Sequence, residues 1–338
     1  MKLLITLTLG LFLTASLFGQ NDRINELVSQ GTALHDQGRY DEAISKYKAA
    51  LEIDNNSLVA NYELSYTYMV TQQYDKAIKH SGIVIEQNTD YLEESYIVLG
   101  SSQDMLGQPD KAIKSFEAGL AKYPNSNLLN YNLALTLFNQ KDYEKAEEAA
   151  INAVLAKPSH GSSHIILAAI MQIKGQRVKC LMSLYYFLMV EPDSKRSELY
   201  YQSLIEQLGQ GVTKEGKKKI NVNISSSSTK DDEFGAADMM VSMLAASKYI
   251  KENKKKSEME LFAENNGSFF SVLGELKKDN KGFWWDFYVT RFNSLLESEN
   301  CEAFSYYISQ SANSEEVTKW IANNPKKMEK FKEWLGNL

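Results

Sequence analysis

The chain has 338 residues, 43% of them hydrophobic and 24% charged, with a formal net charge of −6; that is enough apolar material for ordinary cores and excludes a disordered chain. The charge is uneven: residues 20–210 hold 17 Lys and Arg against 24 Asp and Glu, and residues from 211 onward hold 19 of each. With no basic stripe to neutralise phosphates, nucleic acid is disfavoured as a partner, and so are anionic membranes.

The first residues join one cation, Lys2, to an uncharged apolar run from Leu3 to Phe18 that ends at Gly19 and Gln20. This pattern predicts a secretory signal peptide over residues 1–19, so the chain is expected to be exported to the periplasm, the cell envelope or the medium. The run is near the lower limit for spanning a bilayer and has no basic flank, and no transmembrane segment is expected after cleavage. No cysteine follows it, which removes acylation of a new N-terminal cysteine. The two cysteines, Cys180 and Cys301, fall in different predicted domains, and a bridge between them is not expected.

From residue 20 to 209 five small residues recur, Ala43, Ala77, Ala112, Ala146 and Cys180, at intervals of 34, 35, 34 and 34 residues. Each interval carries the apolar spacing of two short helices, a turn, and in three cases a closing proline, Pro124, Pro158 or Pro192. A second row of small residues, Gly31, Ser65, Gly100, Ala134 and Ala168, lies on the first helix of each pair and is expected to face the first row. Small side chains at both places let two helix axes approach closely, and a bulky one should overpack the pair. Cys180 holds the small position of the fifth unit, where a thiol acts as a compact apolar group.

Period, small residues, turn and proline together resemble the tetratricopeptide repeat (TPR) family over residues 24–193. The resemblance implies an all-α fold: a helical-hairpin solenoid of about five repeats with a capping helix over SKRSELYYQSLIEQLGQ, followed by a small helical C-terminal domain. It also implies a protein-interaction scaffold and no enzyme or cofactor. There are departures. Pro109 and Arg177 stand where the other repeats have Tyr40, Tyr74 and Tyr143, and the large aromatic of the first helix is reduced to Leu27, Asn61, Asn130 and His164.

Proteins of this family line a groove with the inner face of each first helix. Carried over position by position, that face is Val28 and Thr32; Tyr62, Tyr66 and Met69; Ile97 and Ser101; Tyr131, Leu135 and Phe138; and Ile165, Ala169 and Gln172. The candidate peptide-binding residues taken from it are Tyr62, Tyr66, Met69, Ile97, Ser101, Tyr131, Leu135, Phe138, Ile165 and Gln172. The face lacks the cations needed to clamp a C-terminal carboxylate. An apolar, tyrosine-rich groove suits an amphipathic helix or an extended apolar peptide of unknown identity. Occupation by the chain's own C-terminal domain, or use of these residues as inter-repeat core, stays open beside a foreign ligand.

Residues 210–233 are poor in large apolar side chains and carry a lysine run and four consecutive serines, the composition of a linker. Ile220, Val222 and Ile224 alternate with polar residues as a strand would, but coil is the preferred reading. Asn223 with Ser225 matches a glycosylation acceptor, relevant only in a eukaryotic source. Residues 234–338 are helical without the 34-residue period: five or six helices, all four tryptophans, and a start for the last helix at Asn324–Pro325. Phe283, Trp284, Trp285, Phe287, Tyr288 and Val289 surround one turn on every side and predict a central buried helix; an aromatic platform for glycan or peptidoglycan is the alternative. The stretches KGFWWDFYV, FSYYISQS and KEWL resemble the C-terminal region of exported TPR proteins of Bacteroidota, which implies an envelope location and no activity.

A catalytic or metal site is not expected. His160 and His164 are four apart as a zinc pair would be, but the boundary between helices is predicted to fall between them and no third ligand is evident. Asp286 beside two tryptophans lacks a second carboxylate, and pairing with Arg291 or with a helix end is its expected role. Glycine-rich phosphate loops, nucleophile elbows and Cys–His pairs do not occur.

Overall fold

The structure, a computed structural model, describes residues 20–215, 219–223 and 233–337. The leader expected over residues 1–19, and Ile224 and Ser225 of the alternating segment and acceptor motif, lie outside these. The chain divides into two compact units, Met1–Ala156 and Lys157–Leu338.

The first unit is a stack of helical hairpins: α1 (residues 20–36) with α2 (Tyr40–Ile53), α3 (Leu58–Val70) with α4 (Tyr74–Gln87), α5 (Leu92–Met105) with α6 (Pro109–Leu120), and α7 (Asn127–Asn139) with α8 (Tyr143–Ala156). Sequence chemistry sets the helix limits. Ser57 and Ser126 accept from the backbone N–H of Ala60 and Leu129 and so cap α3 and α7, and Pro109 takes the first position of α6, where its missing N–H costs nothing. Inside each hairpin the chain turns through one left-handed residue, Gly38, Gln72, Gly107 or Lys141. Gly38 and Gly107 adopt that conformation without strain.

Ala43, Ala77, Ala112 and Ala146 are fully buried at the hairpin contacts. The partner of the glycines differs from the expected one. A Cβ at Gly31 would sit 2.4 Å from the ring of Tyr47, and one at Gly100 would sit 2.4 Å from the ring of Phe116. The first row of small residues therefore lets the helices approach, while the glycines make room for an aromatic ring one turn further along α2 and α6. The first helices of successive hairpins also touch one another, α3 with α5 and α5 with α7, which forms a continuous row of first helices.

The second unit contains the fifth hairpin, α9 (Gly161–Ile173) and α10 (Arg177–Val190), then α11 (Ser197–Gly209), a two-stranded antiparallel hairpin, and the C-terminal helices. The strands are β1 (Val212–Glu215) and β2 (Lys219–Val222), with Val212 opposite Val222 and Lys214 opposite Ile220. This corrects the coil reading of Ile220 and Val222: their alternation is that of a real strand, because β1 supplies the ladder partner that the sequence pattern did not identify. The helices that follow are α12 (Gly235–Ser247), α13 (Glu258–Leu276), α14 (Thr290–Glu297), α15 (Cys301–Ile308), α16 (Glu315–Asn323) and α17 (Pro325–Gly336). A capping box between Ser257 and Glu260 starts α13, and a wide π-helical turn, Trp284–Val289, leads into α14.

At the centre of this unit lies α10. Eleven of its 14 residues are buried, and α9, α11, α12, α15 and the π-helical turn all pack on it. A helix apolar on every side cannot stand at the open end of a stack, since it would leave large side chains in water. In the capping segment only Leu204 of the apolar set is fully buried, and Leu199 and Ile205 remain exposed.

Candidate functional site

In the first unit the candidate residues lie on the row of first helices and none is buried. Tyr62, Tyr66 and Met69 stand on α3, Ile97 and Ser101 on α5, and Tyr131, Leu135 and Phe138 on α7; Tyr66 is 37% exposed and the others are half-buried. Val28 of α1, by contrast, belongs to the core. Tyr62 and Met69 also pack against that core, so these side chains are packed on one side and partly wetted on the other.

The aromatic members form a ladder. The ring of Tyr62 stacks at 5.0 Å on Tyr91 and at 6.5 Å on Tyr66; Tyr66 stacks at 5.2 Å on His35, which meets Tyr40 edge-on at 5.1 Å. Stacked pairs at these spacings hold one another's rotamers, so the ladder is pre-organised. His35 is also held by a 2.8 Å hydrogen bond between its Nδ1 and the hydroxyl of Thr67. A second aromatic pair, Phe138 and Tyr143, meets edge-on at 5.7 Å.

Sequence reasoning missed His35, Tyr40 and Tyr91. A signal for Tyr91 exists: the single 35-residue interval places one extra residue between Ala77 and Gly100. There the chain turns through Asn88 and Tyr91, both with positive φ. That turn swings the Tyr91 ring onto Tyr62.

The electrostatics of the ladder are negative. Burial first, then the nearby carboxylates Glu63 and Glu94, push the Tyr62 phenol up to about 12. Burial and then the proximity of Asp36 raise the Glu63 carboxyl. Burial lowers His35, which keeps its ring neutral at pH 7.

In the second unit Ile165 is half-buried and Gln172 exposed on α9, and the C-terminal helices attach to the fifth hairpin chiefly through α10. Their attachment uses the two residues at which repeat five departs from the pattern. Arg177, at the first position of α10, pairs with the buried carboxylate of Asp238 on α12, and it also donates to the Asp238 carbonyl (2.6 Å), the Ser242 hydroxyl (2.6 Å) and the Gln210 carbonyl (3.0 Å). His164 donates from Nε2 to the Pro158 carbonyl at 2.8 Å, so its Nδ1 accepts from the Tyr288 hydroxyl at 2.6 Å. Burial depresses this imidazole to about 4, and the ring is neutral. A third polar link runs from the Tyr185 hydroxyl to Asn266 Oδ1 (2.5 Å), whose amide donates to Ser305 (2.9 Å).

Other residues singled out in the sequence have defined surroundings. Trp284 and Trp285 are buried, Trp285 against Phe234 with its indole N–H donated to Glu233, which removes them as a glycan platform. Asp286 accepts from the backbone N–H of Gly282 at the start of its helical segment, whereas Arg291 lies 3.8 Å over the ring of Phe287. His160 sits at the N-terminus of α9 and His164 inside it. Cys180 and Cys301 are free thiols, the first fully packed. Among the described residues no group of three or more His, Cys, Asp or Glu comes together as a metal site would, and no helix is long and apolar enough to cross a membrane.

The stacked hairpins with a wetted aromatic inner row define a helical-repeat protein. Family models described as tetratricopeptide repeat match residues 34–90 and 98–161, and this part of the chain is a tetratricopeptide-repeat array. Among curated relatives, tetratricopeptide repeat protein 33 of Homo sapiens is 27% identical over 145 residues, 43% of this chain and 55% of that one. The Hsp70-Hsp90 organising protein of Plasmodium falciparum is 22% identical over 135 residues, 40% of this chain and 24% of that one. The chain thus spans about half or less of these relatives' lengths. Among solved structures, the thermophilic TPR protein TTC0263 of Thermus thermophilus aligns with a TM-score of 0.46 at 19% identity, covering 54% of this chain and 98% of that one. A MamA crystal structure aligns with a TM-score of 0.42 at 24% identity, covering 48% and 94%.

Proposed function

We propose that the protein is a non-enzymatic interaction scaffold of the cell envelope that binds a peptide or helix of a partner protein along the inner row of its repeats. The observation that carries this reading is the pre-organised ladder Tyr40–His35–Tyr66–Tyr62–Tyr91, apolar in area yet partly exposed. Tyrosines of this kind give contact area and a hydrogen bond at small entropic cost, as interaction hot spots do. The carboxylates Asp36, Glu63 and Glu94 beside the ladder select for a peptide that carries Lys or Arg among its apolar residues, since cations gain both from the charge and from tyrosine faces. The leader of residues 1–19 supports an exported location, tested by sequencing the N-terminus of the mature protein, which should begin near Gln20.

The binding reading is tested by selecting from a displayed random-peptide library against the chain that begins at Gln20. Peptides enriched in apolar and basic residues, competing with one another for one site, are the expected result. A library that yields no binder, or binders rich in acidic residues, would overturn it.

A further inference from the structure

Charge tallied along the sequence conceals a local concentration in the second unit. The strand hairpin packs beside α12, and the ammonium of Lys214 on β1 lies 5.4 Å over the ring of Tyr249, just past the end of that helix. Lys248 reaches the same ring at 5.1 Å. Two cations thus lie within 5.4 Å of one aromatic ring. Lys251, Lys254 and Lys255 continue the cluster in the 3-10 turn Lys251–Lys255; all three are exposed, and Glu252 is the one acid of the turn. Lys219 and Lys256 are already paired, with Glu215 and Glu264, and add little.

Large aliphatic side chains stand among these lysines. Met239 and Met243 lie one turn apart on α12, Ile250 follows with extended backbone just before the 3-10 turn, and all three are 45–55% exposed. On the adjacent hairpin the register puts Ile220 and Val222 on the same face as Lys214, each 38% exposed. A merely solvated lysine run needs no such residues, and exposed large apolar side chains grouped with polar ones mark an interaction surface.

We infer that this edge of the second unit, α12 with the hairpin and the turn Lys251–Lys255, docks peripherally on an anionic lipid bilayer. The lysines meet the headgroup charge, and Met239, Met243 and Ile250 enter the boundary between headgroups and acyl chains. The inference is independent of the peptide-binding face, which lies on other residues.

The test is co-sedimentation with vesicles, using both the full chain and the chain that begins at Gln20, which keeps every described residue and removes the apolar leader. Vesicles of phosphatidylglycerol and phosphatidylcholine in equal parts are compared with phosphatidylcholine alone, at low and high salt. Both chains should bind the anionic vesicles at low salt, and the shorter one should leave them at high salt. Each lysine near the surface is worth about five-fold in partitioning, so the triple variant Lys251→Gln, Lys254→Gln, Lys255→Gln of the shorter chain should bind roughly 100-fold more weakly. The pair Met243→Ser, Ile250→Ser should weaken binding while keeping its salt dependence. All five positions are exposed, and an unchanged tryptophan spectrum confirms that the variants are folded. Equal binding to neutral vesicles, no binding at low salt, or no effect of the triple variant would overturn the inference. So would a triple variant whose effect is to dissolve a self-associated state, because the acidic repeats of a second copy would then be the occupant.

Discussion

Replacing Asp238 with Ala should destabilise the second unit strongly while leaving the first unit untouched. The Arg177 and Asp238 side chains are only 10% and 11% exposed, and the guanidinium is fixed by donors to four acceptors. Removing the carboxylate strands a buried cation, which typically costs about 3 to 5 kcal/mol. The assay is built into the chain: Trp284, Trp285, Trp320 and Trp334 all lie in the second unit, and the first has none. Tryptophan fluorescence in urea therefore reports the second unit alone. With a slope of about 2 kcal/mol per molar urea, a loss of ~3 kcal/mol lowers the midpoint by about 1.5 M. The double replacement Arg177→Met, Asp238→Leu should recover most of that loss, because an apolar pair of similar volume leaves no charge uncompensated. A midpoint shift below about 0.3 M for Asp238→Ala, against the ~1.5 M expected, would refute the reasoning, and so would a double variant no better than the single one.

Other consequences follow from the same geometry. His164 titrates near its ordinary value of 6.5 when unfolded and at about 4 when folded, so the unfolded state binds more protons between these pH values; stability of the second unit is full above pH 6.5 and should fall by on the order of 3 kcal/mol as pH drops to 4. His160, lowered by burial and then by Lys157 and Arg196, acts in the same direction. The variant His164→Gln should flatten the dependence of the tryptophan-detected midpoint on pH, and an unchanged slope would contradict the assignment of a neutral buried ring. In the first unit, Gly100→Ala forces a methyl group against Phe116 and should lower the stability of that unit by about 1 to 3 kcal/mol, read from the part of the far-ultraviolet circular dichroism transition in urea that the tryptophan signal does not follow. Gly82→Ala, where the added carbon meets nothing within 4 Å, should not destabilise it.

The repeat array is legible in sequence because its determinants are local: a 34-residue period, small residues at fixed offsets and prolines at ends each act within one hairpin. The inner row is legible for the same reason, since the register of Ala43, Ala77, Ala112 and Ala146 fixes which side of each first helix faces in. The rest depends on contacts distant in sequence. His35 and Tyr40 join the ladder only because α3 stacks beside the first hairpin, and Tyr91 joins through a turn whose one signal is a single extra residue. His164 and Arg177 read as departures that weaken repeat five; their partners, Tyr288 and Asp238, lie 124 and 61 residues away. The apolar excess of LMSLYYFLMV is the visible hint that α10 is covered on all sides, and a period-based reading passes over it. The strand β2 shows its alternation in sequence, but a strand is defined by its neighbour, and β1 carries only one apolar residue.

The central claim, that the inner row of the first unit is the binding face, meets its most direct test in the affinity of a selected peptide for the chain that begins at Gln20 and for its Tyr62→Ala, Tyr66→Ala variant. Two stacked tyrosines at the centre of an interface should carry at least ~1.4 kcal/mol, so the dissociation constant should rise about ten-fold or more. The control Leu155→Ser, at an exposed position on α8 away from the ladder, should leave it unchanged. An affinity unaffected by the loss of both tyrosines, or lowered equally by Leu155→Ser, would contradict the account.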